Sequence, residues 1–324
     1  MSKPAEARAD SPILLTMGEP AGIGPEVCVA AFHALGGHVG KRPLRLVGDA
    51  KVFQDCGAVP PDCLLATKNR ATRVAGKPDA GNAGAITEAI ELAVAAALSG
   101  EAGAIVTAPI NKAVLQRAGF GFPGHTEFLA HLTKAPRAVM MLASDVLRVV
   151  PLTIHLPLAQ VPRAIDKRAI VETGEIVLAA LKRDFAIARP RLAVAGLNPH
   201  AGEDGVLGGE DAAIVAPAVA ELKARGHDVR GPLSADTMFH EEARATYDAA
   251  LCMYHDQALI PIKTMSFWDG GNVTLGLPIV RTSPDHGTAF DIAGTGKADP
   301  RSMITAILMA AAIADARLHE HSAR

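Results

Sequence analysis

The chain has 324 residues, a formal charge of -2 and 49 % apolar residues, with aromatics at only 4 %. That length exceeds one ordinary core and predicts two lobes or one large α/β unit, while apolar content dominated by Ala, Val, Ile and Leu suits helices packed on sheet layers. Acids and bases are interspersed, which leaves no broad basic field for a nucleic-acid backbone or an anionic membrane, so the expected partner is a small molecule.

The N-terminal segment Met1 to Asp10 is polar and lacks the apolar core of a secretory signal. From Ile13 onward, short β-like runs alternate with helical patterns: Ile13 to Leu15, Leu44 to Val47, Ala104 to Thr107, Val139 to Leu142, Leu147 to Thr153, Leu192 to Gly196 and Ala249 to Met253. Runs this short and this apolar fit strands buried on both faces, which predicts a mainly parallel sheet with some mixed pairing. Between them, Ile86, Ala89, Ile90, Ala93, Val94 and Ala97 recur at helical spacing and stop near Gly100. The apolar stretch Ala89 to Leu98 is interrupted by Glu91 and is too short to cross a bilayer. A second helix is expected over Gln160 to Leu181, with Asp166, Lys167, Arg168, Glu172 and Glu175 on its wet side. A last helix is expected over Ser302 to Arg317, with His319 and His321 as a frayed tail. Cys28, Cys56, Cys63 and Cys252 form no CxxC pair, so reduced thiols in a cytoplasmic protein are expected, and sulfur ligation of a metal is not.

Three histidines each follow a predicted strand: His155, His200 and His255. Ligands of open α/β sheets gather at the carboxyl ends of strands. Three imidazoles delivered there could share one divalent ion and leave a position open for substrate or water. Each histidine taken singly also reads as an ordinary loop residue, and both readings stand at this level. Their turns are polar, as in Asn198-Pro199-His200-Ala201-Gly202-Glu203-Asp204 and Tyr254-His255-Asp256-Gln257.

Two glycine-rich loops could approach an anionic ligand. Gly18 to Glu26 follows the first strand and opens a helix, with Pro25 suited to its first turn. It has neither a P-loop ending nor a Rossmann spacing, and a tight βα turn is the alternative. Asp285 to Lys297 mixes glycines, hydroxyls and charges without apolar period, as either a ribose or adenine site or a surface loop. The candidate cofactor contacts are Gly22, Gly24, Gly287, Asp291 and Gly294. Lys263, Asn272 and Arg281 lie nine residues apart, with the strand-like Val273 to Leu275 between them; Lys and Arg are candidate anion ligands. Gly124-His125-Thr126-Glu127 reads either as a helix start capped by Thr126 or as a donor pair aimed at an anion.

Together the segments MGEPAGIGPE, TAPINK, GHTEFLA, LNPHAGEDG, YHDQ and DHGTAFDIAGTGKAD, spread in order over almost the whole chain, resemble the 4-hydroxythreonine-4-phosphate dehydrogenase family of vitamin B6 synthesis. The GIGPEV and HGTAFDIAGTG loops are also similar to loops of isocitrate and isopropylmalate dehydrogenases. The resemblance implies an α/β, two-lobed isocitrate/isopropylmalate dehydrogenase-like fold with a mainly parallel sheet and a cleft between lobes. The expected lobes are 1–130 plus 280–324 for NAD, and 131–279 for metal, substrate and dimerisation. It implies an obligate homodimer, NAD or NADP bound without a Rossmann fingerprint, and one zinc, cobalt or magnesium ion held by His155, His200 and His255 between dimer partners. Substrate contacts carry over to His125, Thr126, Lys263, Asn272 and Arg281. Met17 stands where some family members carry Thr.

The implied reaction passes a hydride from the hydroxyl-bearing carbon of 4-phosphohydroxy-L-threonine to the nicotinamide, giving a β-keto acid that loses carbon dioxide. Asp256 and Lys263 are candidate catalytic groups, with Asp236 a further candidate base. A paralogue oxidising a four-carbon sugar acid phosphate or a dihydrodiol carboxylate would retain the same residues. Outside the family, a three-histidine metal hydrolase and a metal-stabilised binding protein remain the competing classes.

Overall fold

The computed structural model describes residues 7–322, so Met1 to Glu6 of the polar N-terminal segment lie outside the described residues. In chain order the strands are β1 Ile13–Thr16, β2 His38–Val39, β3 Arg42–Gly48, β4 Leu64–Ala66, β5 Ala104–Thr107, β6 Val139–Ala143, β7 Arg148–Pro151, β8 Arg191–Ala195, β9 Asp228–Leu233, β10 Ala249–Cys252, β11 Gly271–Leu275 and β12 Arg281–Ser283. The helices are α1 Gly24–Ala34, α2 Ala50–Gln54, α3 Ala83–Leu98, α4 Lys112–Arg117, α5 His125–Thr133, α6 Val161–Ala164, α7 Lys167–Asp184, α8 Ala216–Ala224, α9 Glu241–Arg244, α10 His255–Met265 and α11 Arg301–Ser322. Contacts divide the chain into two compact units, Met1–Ala138 with Gly271–Arg324, and Val139–Gly270.

In the first unit, β3, β1, β5 and β12 are parallel neighbours, with β4 parallel and β2 antiparallel to β3, and β11 antiparallel to β12. Every residue of β1 and β5 is buried, as expected of strands covered on both faces. Helix α3 packs on β1, β3 and β5. It buries Ile86, Ala89, Ile90, Ala93, Val94 and Ala97, the stripe that its spacing predicts. Burying each of its large aliphatic side chains contributes about 1.5–3 kcal/mol.

The second unit orders its strands β6-β7-β10-β8-β9. Pairing is parallel from β7 through β9 and antiparallel between β6 and β7. Strand β9 carries Gly231 and Pro232, a pair that a strand pattern does not suggest, and it is tolerated at this end of the order.

Three local expectations change. The helix expected over Gln160 to Leu181 is two: α6 ends at Ile165, which is extended, and α7 restarts with Asp166 as its cap, accepting from the Ala169 amide at 2.7 Å. Asp166 therefore satisfies a helix end rather than only facing water. The strand expected to reach Thr153 stops at Pro151. The last helix continues through Ser322, so His319 and His321 prolong it instead of fraying. This helix, not Ala89 to Leu98, has the length and composition of a membrane span, over Arg301–His319. Met303, Ala306, Ile307, Ala310 and Ile313 are nonetheless buried, and the helix packs on β5, β11 and β12 as a core helix does.

Candidate active site

In the second unit β10 lies between β7 and β8, all three parallel, so their carboxyl ends share one edge of the sheet. His155, His200 and His255 all follow at that edge. His155 and His255 stand close, with ring centroids 6.2 Å apart and planes inclined by 35°. They line a cavity of about 260 Å³ together with Leu158, Val161, Tyr254 and Asp256. His255 is the first residue of α10, and its Nδ1 lies 2.7 Å from Asp256 Oδ1. A carboxylate at Nδ1 fixes the ring and directs the Nε2 lone pair outward.

His200 is exposed on a turn of left-handed backbone (φ 51°). The Asp236 carboxyl, held below its usual range chiefly by the Ser234 hydroxyl donating at 2.5 Å, also feels His200. Among the described residues no three His, Cys, Asp or Glu side chains stand together as a metal site. Two imidazoles meet within the chain, and the third is not brought to them. Lys263 lies farther along α10, its ammonium 5.8 Å from the centre of the Phe267 ring.

The first unit has a different character. Arg281, at the start of β12, is buried and donates to two hydroxyls: Thr107 Oγ1 accepts from Nε at 3.1 Å and Nη2 at 2.6 Å, and Thr274 Oγ1 accepts from Nη1 at 2.8 Å. Burial pulls its pKa down to about 10, which still leaves a full cation at neutral pH. A buried guanidinium held by neutral hydroxyls is a charge prepared for an anion. Burial, reinforced by the Arg281 and Lys112 cations, drives His125 well below the ordinary imidazole range. Its Nε2 is shielded from solvent and has no hydrogen-bond partner, and neither has the side-chain oxygen of Asn272 on β11. Gly124, not Thr126, is the N-cap of α5 and provides no side-chain cap, so Thr126 lies within the first turn. A Cβ on Gly124 would come within 2.8 Å of Lys112 Cε, so the Lys112 side chain packs directly over the start of α5.

The two glycine loops pack on each other. The Ile23 amide donates to Thr288 O at 2.9 Å, and a Cβ on Gly22 would sit 2.7 Å from the same oxygen. Gly24 opens α1 with Pro25 behind it, against Met17 O and Ala108 Cβ. The Gly294 amide donates to Glu26 at 2.7 Å, and Glu26 pairs with Arg73, which also donates to Pro20 O and Gly22 O. Gly287 has open space where a Cβ would stand, and Asp291 is exposed. Thr107, Thr274 and the buried acid Glu19 were not singled out from sequence. Burial pushes the Glu19 carboxyl upward, and one of its oxygens has no partner. Thr107 opens the TAPINK segment, but only the pairing of β5 with β12 reveals its tie to Arg281.

The profile of the family described as pyridoxal phosphate biosynthetic protein PdxA matches residues 47–310. A 4-hydroxythreonine-4-phosphate dehydrogenase of Paracoccus denitrificans is 53 % identical, covering 97 % of this chain and 98 % of its own. The crystal structure of a 4-hydroxythreonine-4-phosphate dehydrogenase from Klebsiella pneumoniae superposes with a TM-score of 0.82 at 38 % identity, over 94 % of this chain and 99 % of that one. A terephthalate 1,2-cis-dihydrodiol dehydrogenase of Burkholderia xenovorans follows at 0.64 and 29 %, covering 93 % and 98 %. A β-decarboxylating dehydrogenase of Thermococcus kodakarensis shares the fold alone, at 0.50 and 19 %, covering 94 % and 82 %.

Proposed function

We infer the function from one premise: the chain belongs to the family of the pyridoxal phosphate biosynthetic protein PdxA. It is accordingly an oxidoreductase of pyridoxine biosynthesis, and hydrolytic or purely structural use of the histidines falls away. The reading is oxidation of 4-phosphohydroxy-L-threonine to 2-amino-3-oxo-4-phosphooxybutanoate with NAD or NADP and a divalent metal. Decarboxylation then yields 3-amino-2-oxopropyl phosphate. The observation that carries it is buried Arg281, a cation held by hydroxyls and adjoined by His125, as recognition of a phosphorylated, carboxylated substrate requires.

Residues of the first unit bind the anionic groups. Arg281 supplies a planar fork of donors, Asn272 and Thr126 neutral polar contacts, and His125, kept neutral, can donate from Nε2 without adding charge. Lys263 is assigned as a further substrate cation and Asp256 as the group that orients His255.

The metal assignment is His155, His200 and His255. Two imidazoles sharing one zinc ion, with Zn–N of about 2.1 Å, would have ring centres about 5–5.5 Å apart at a tetrahedral angle. The His155–His255 spacing of 6.2 Å lies within about 1 Å of that, a difference a small rotation of the rings would close. An all-imidazole set favours zinc or cobalt over magnesium. When bound, the metal supplies Lewis acidity to a substrate oxygen and the nicotinamide accepts the hydride. We assign completion of the three-histidine set to a homodimer with the ion at the subunit interface. Exposed Leu158, Val206, Ile260, Phe267 and Trp268, all in the second unit, support such a partner surface. The paired glycine loops, with Gly22, Gly24, Gly287, Asp291 and Gly294, are assigned to the dinucleotide in the first unit. The interspersed charge and free thiols support a cytoplasmic setting.

The test is NADH formation from 4-phosphohydroxy-L-threonine with zinc, cobalt or magnesium and an EDTA control, beside phosphorylated four-carbon acids and a cyclic dihydrodiol carboxylate. Metal-dependent turnover of the threonine derivative supports the reading. Turnover only of the cyclic diol would assign the chain to the second reading, which the Burkholderia relative favours.

A further inference from the structure

The segment carrying His200 has the least ordinary backbone of the three. From His200 to Asp204, five successive residues have positive φ, between 42° and 84°, and only Gly202 among them is glycine. A left-handed turn crowds Cβ against the following carbonyl in every other residue. Such a turn persists only where its surroundings over-determine it.

Asp211, 1 % exposed, sits beneath this turn. Its Oδ1 accepts the Leu197 amide at 2.7 Å, and its Oδ2 accepts the Asn198 amide at 3.0 Å and Asn198 Nδ2 at 3.1 Å. Asn198 Nδ2 also donates to Glu210 at 2.9 Å. Two glycines let the layers meet. A Cβ on Gly196 would stand 2.8 Å from the Ala201 Cα and 3.0 Å from Asp211 Oδ1, and one on Gly202 would stand 2.9 Å from Gly208 O.

The root of the turn is tied to the neighbouring strand by Gln257, buried two residues beyond His255. Its Nε2 donates to Gly196 O at 2.7 Å, and its Oε1 accepts the Met253 amide at 2.7 Å. One side chain thereby joins the end of β8 to the turn that leads into α10.

We propose that Asp211 and Gln257 are positioning residues: Asp211 locks the left-handed turn that presents His200, and Gln257 fixes its root relative to His255. Each chain's imidazoles are thus set on its own frame before the partner subunit and the metal complete the set. This rests on the metal assignment above. Neither residue touches the ion. They act through the backbone that carries the ligands, and residues that orient metal ligands typically alter affinity about 10–100-fold.

The test is a cobalt(II) titration of the purified full chain, followed by calorimetry and by the visible ligand-field bands, with inorganic phosphate binding as the internal control. Asp211→Asn keeps the volume, yet its amide must turn an NH2 toward either the Leu197 amide or the two Asn198 donors. Gln257→Glu keeps an acceptor for Met253 and sets an oxygen against the Gly196 carbonyl. Each variant is expected to weaken cobalt binding about 10–100-fold and shift the bands, with phosphate affinity unchanged. Amide exchange at Leu197 and Asn198 should quicken in the metal-free Asp211→Asn protein.

Wild-type cobalt affinity and bands in both variants overturn the proposal, as does an equal loss of phosphate binding, which would signal general unfolding. If Asp211→Asn does not fold, Asn198→Ser removes two of the bonds without touching the buried acid, and Gln257→Glu stands on its own. Wild-type protein that binds no cobalt would overturn the metal assignment and this proposal together. Binding lost in His200→Ala but kept in Asp211→Asn and Gln257→Glu would overturn this proposal alone.

Discussion

The imidazoles of His155 and His255 reach each other from different elements, 6.2 Å between ring centres, although 100 positions separate them in the chain. Parallel pairing of β7 with β10 creates the relationship: Val149 aligns with Ala250, and the two following turns begin at the same edge of the sheet.

Replacing His255 by Ala should abolish divalent-metal occupancy and turnover while leaving the far-ultraviolet circular dichroism unchanged. His155→Ala should do the same. Asp256→Asn, which swaps the oxygen at His255 Nδ1 for an amide, should lower metal affinity about 10–100-fold and leave the pH profile of turnover in shape. A changed profile would instead make Asp256 a base. Metal analysis of dialysed protein and a pH–rate series read these outcomes.

Arg281→Met should raise KM for the phosphorylated substrate by about 10–100-fold, the equivalent of roughly 1.5–3 kcal/mol for a hydrogen bond to a charged group. Arg281→Lys should recover only part of the loss, because an ammonium cannot reproduce the fork that spans Thr107 and Thr274. Steady-state kinetics beside thermal unfolding separate recognition from stability.

His125 predicts a pH dependence of stability. Its folded pKa is depressed below an unfolded value of about 6.5, so below about pH 6.5 the unfolded chain takes up a proton that the folded chain refuses. Its contribution to stability is present above that pH and is lost progressively as pH falls toward the folded pKa. His125→Gln should flatten this portion of the denaturation-midpoint curve below about pH 6.5. Bound anion opposes the effect of Arg281 and Lys112, and phosphate should raise the His125 pKa in a nuclear magnetic resonance titration.

Gly22→Ala and Gly287→Ala separate packing from cofactor contact. The first places a Cβ 2.7 Å from Thr288 O, whereas the second meets open space. Gly22→Ala should cost about 1–3 kcal/mol in unfolding free energy and weaken NAD binding with it. Gly287→Ala should leave the unfolding midpoint in place, so that weaker NAD binding there reports contact with the dinucleotide. Unchanged affinity would remove Gly287 from the cofactor site.

By itself the sequence determined what is local or periodic. The strands β1, β5 and β6 and the buried stripe of α3 follow from hydrophobic spacing, because a strand or helix in an apolar layer must repeat its apolar residues at its own period. The motif-bearing turns were likewise legible, since glycine and polar clusters interrupt that period. The break at Ile165 was not, because the apolar spacing runs on across it and only the Asp166 cap marks the restart. The tertiary structure alone decided which groups meet across strands: Arg281 with Thr107 through β12 and β5, Gln257 with Gly196 between α10 and the end of β8, and Gly22 with Thr288 across two loops. Such contacts depend on strand order and register, and hydrophobic periodicity along one strand carries no information about which other strand lies beside it.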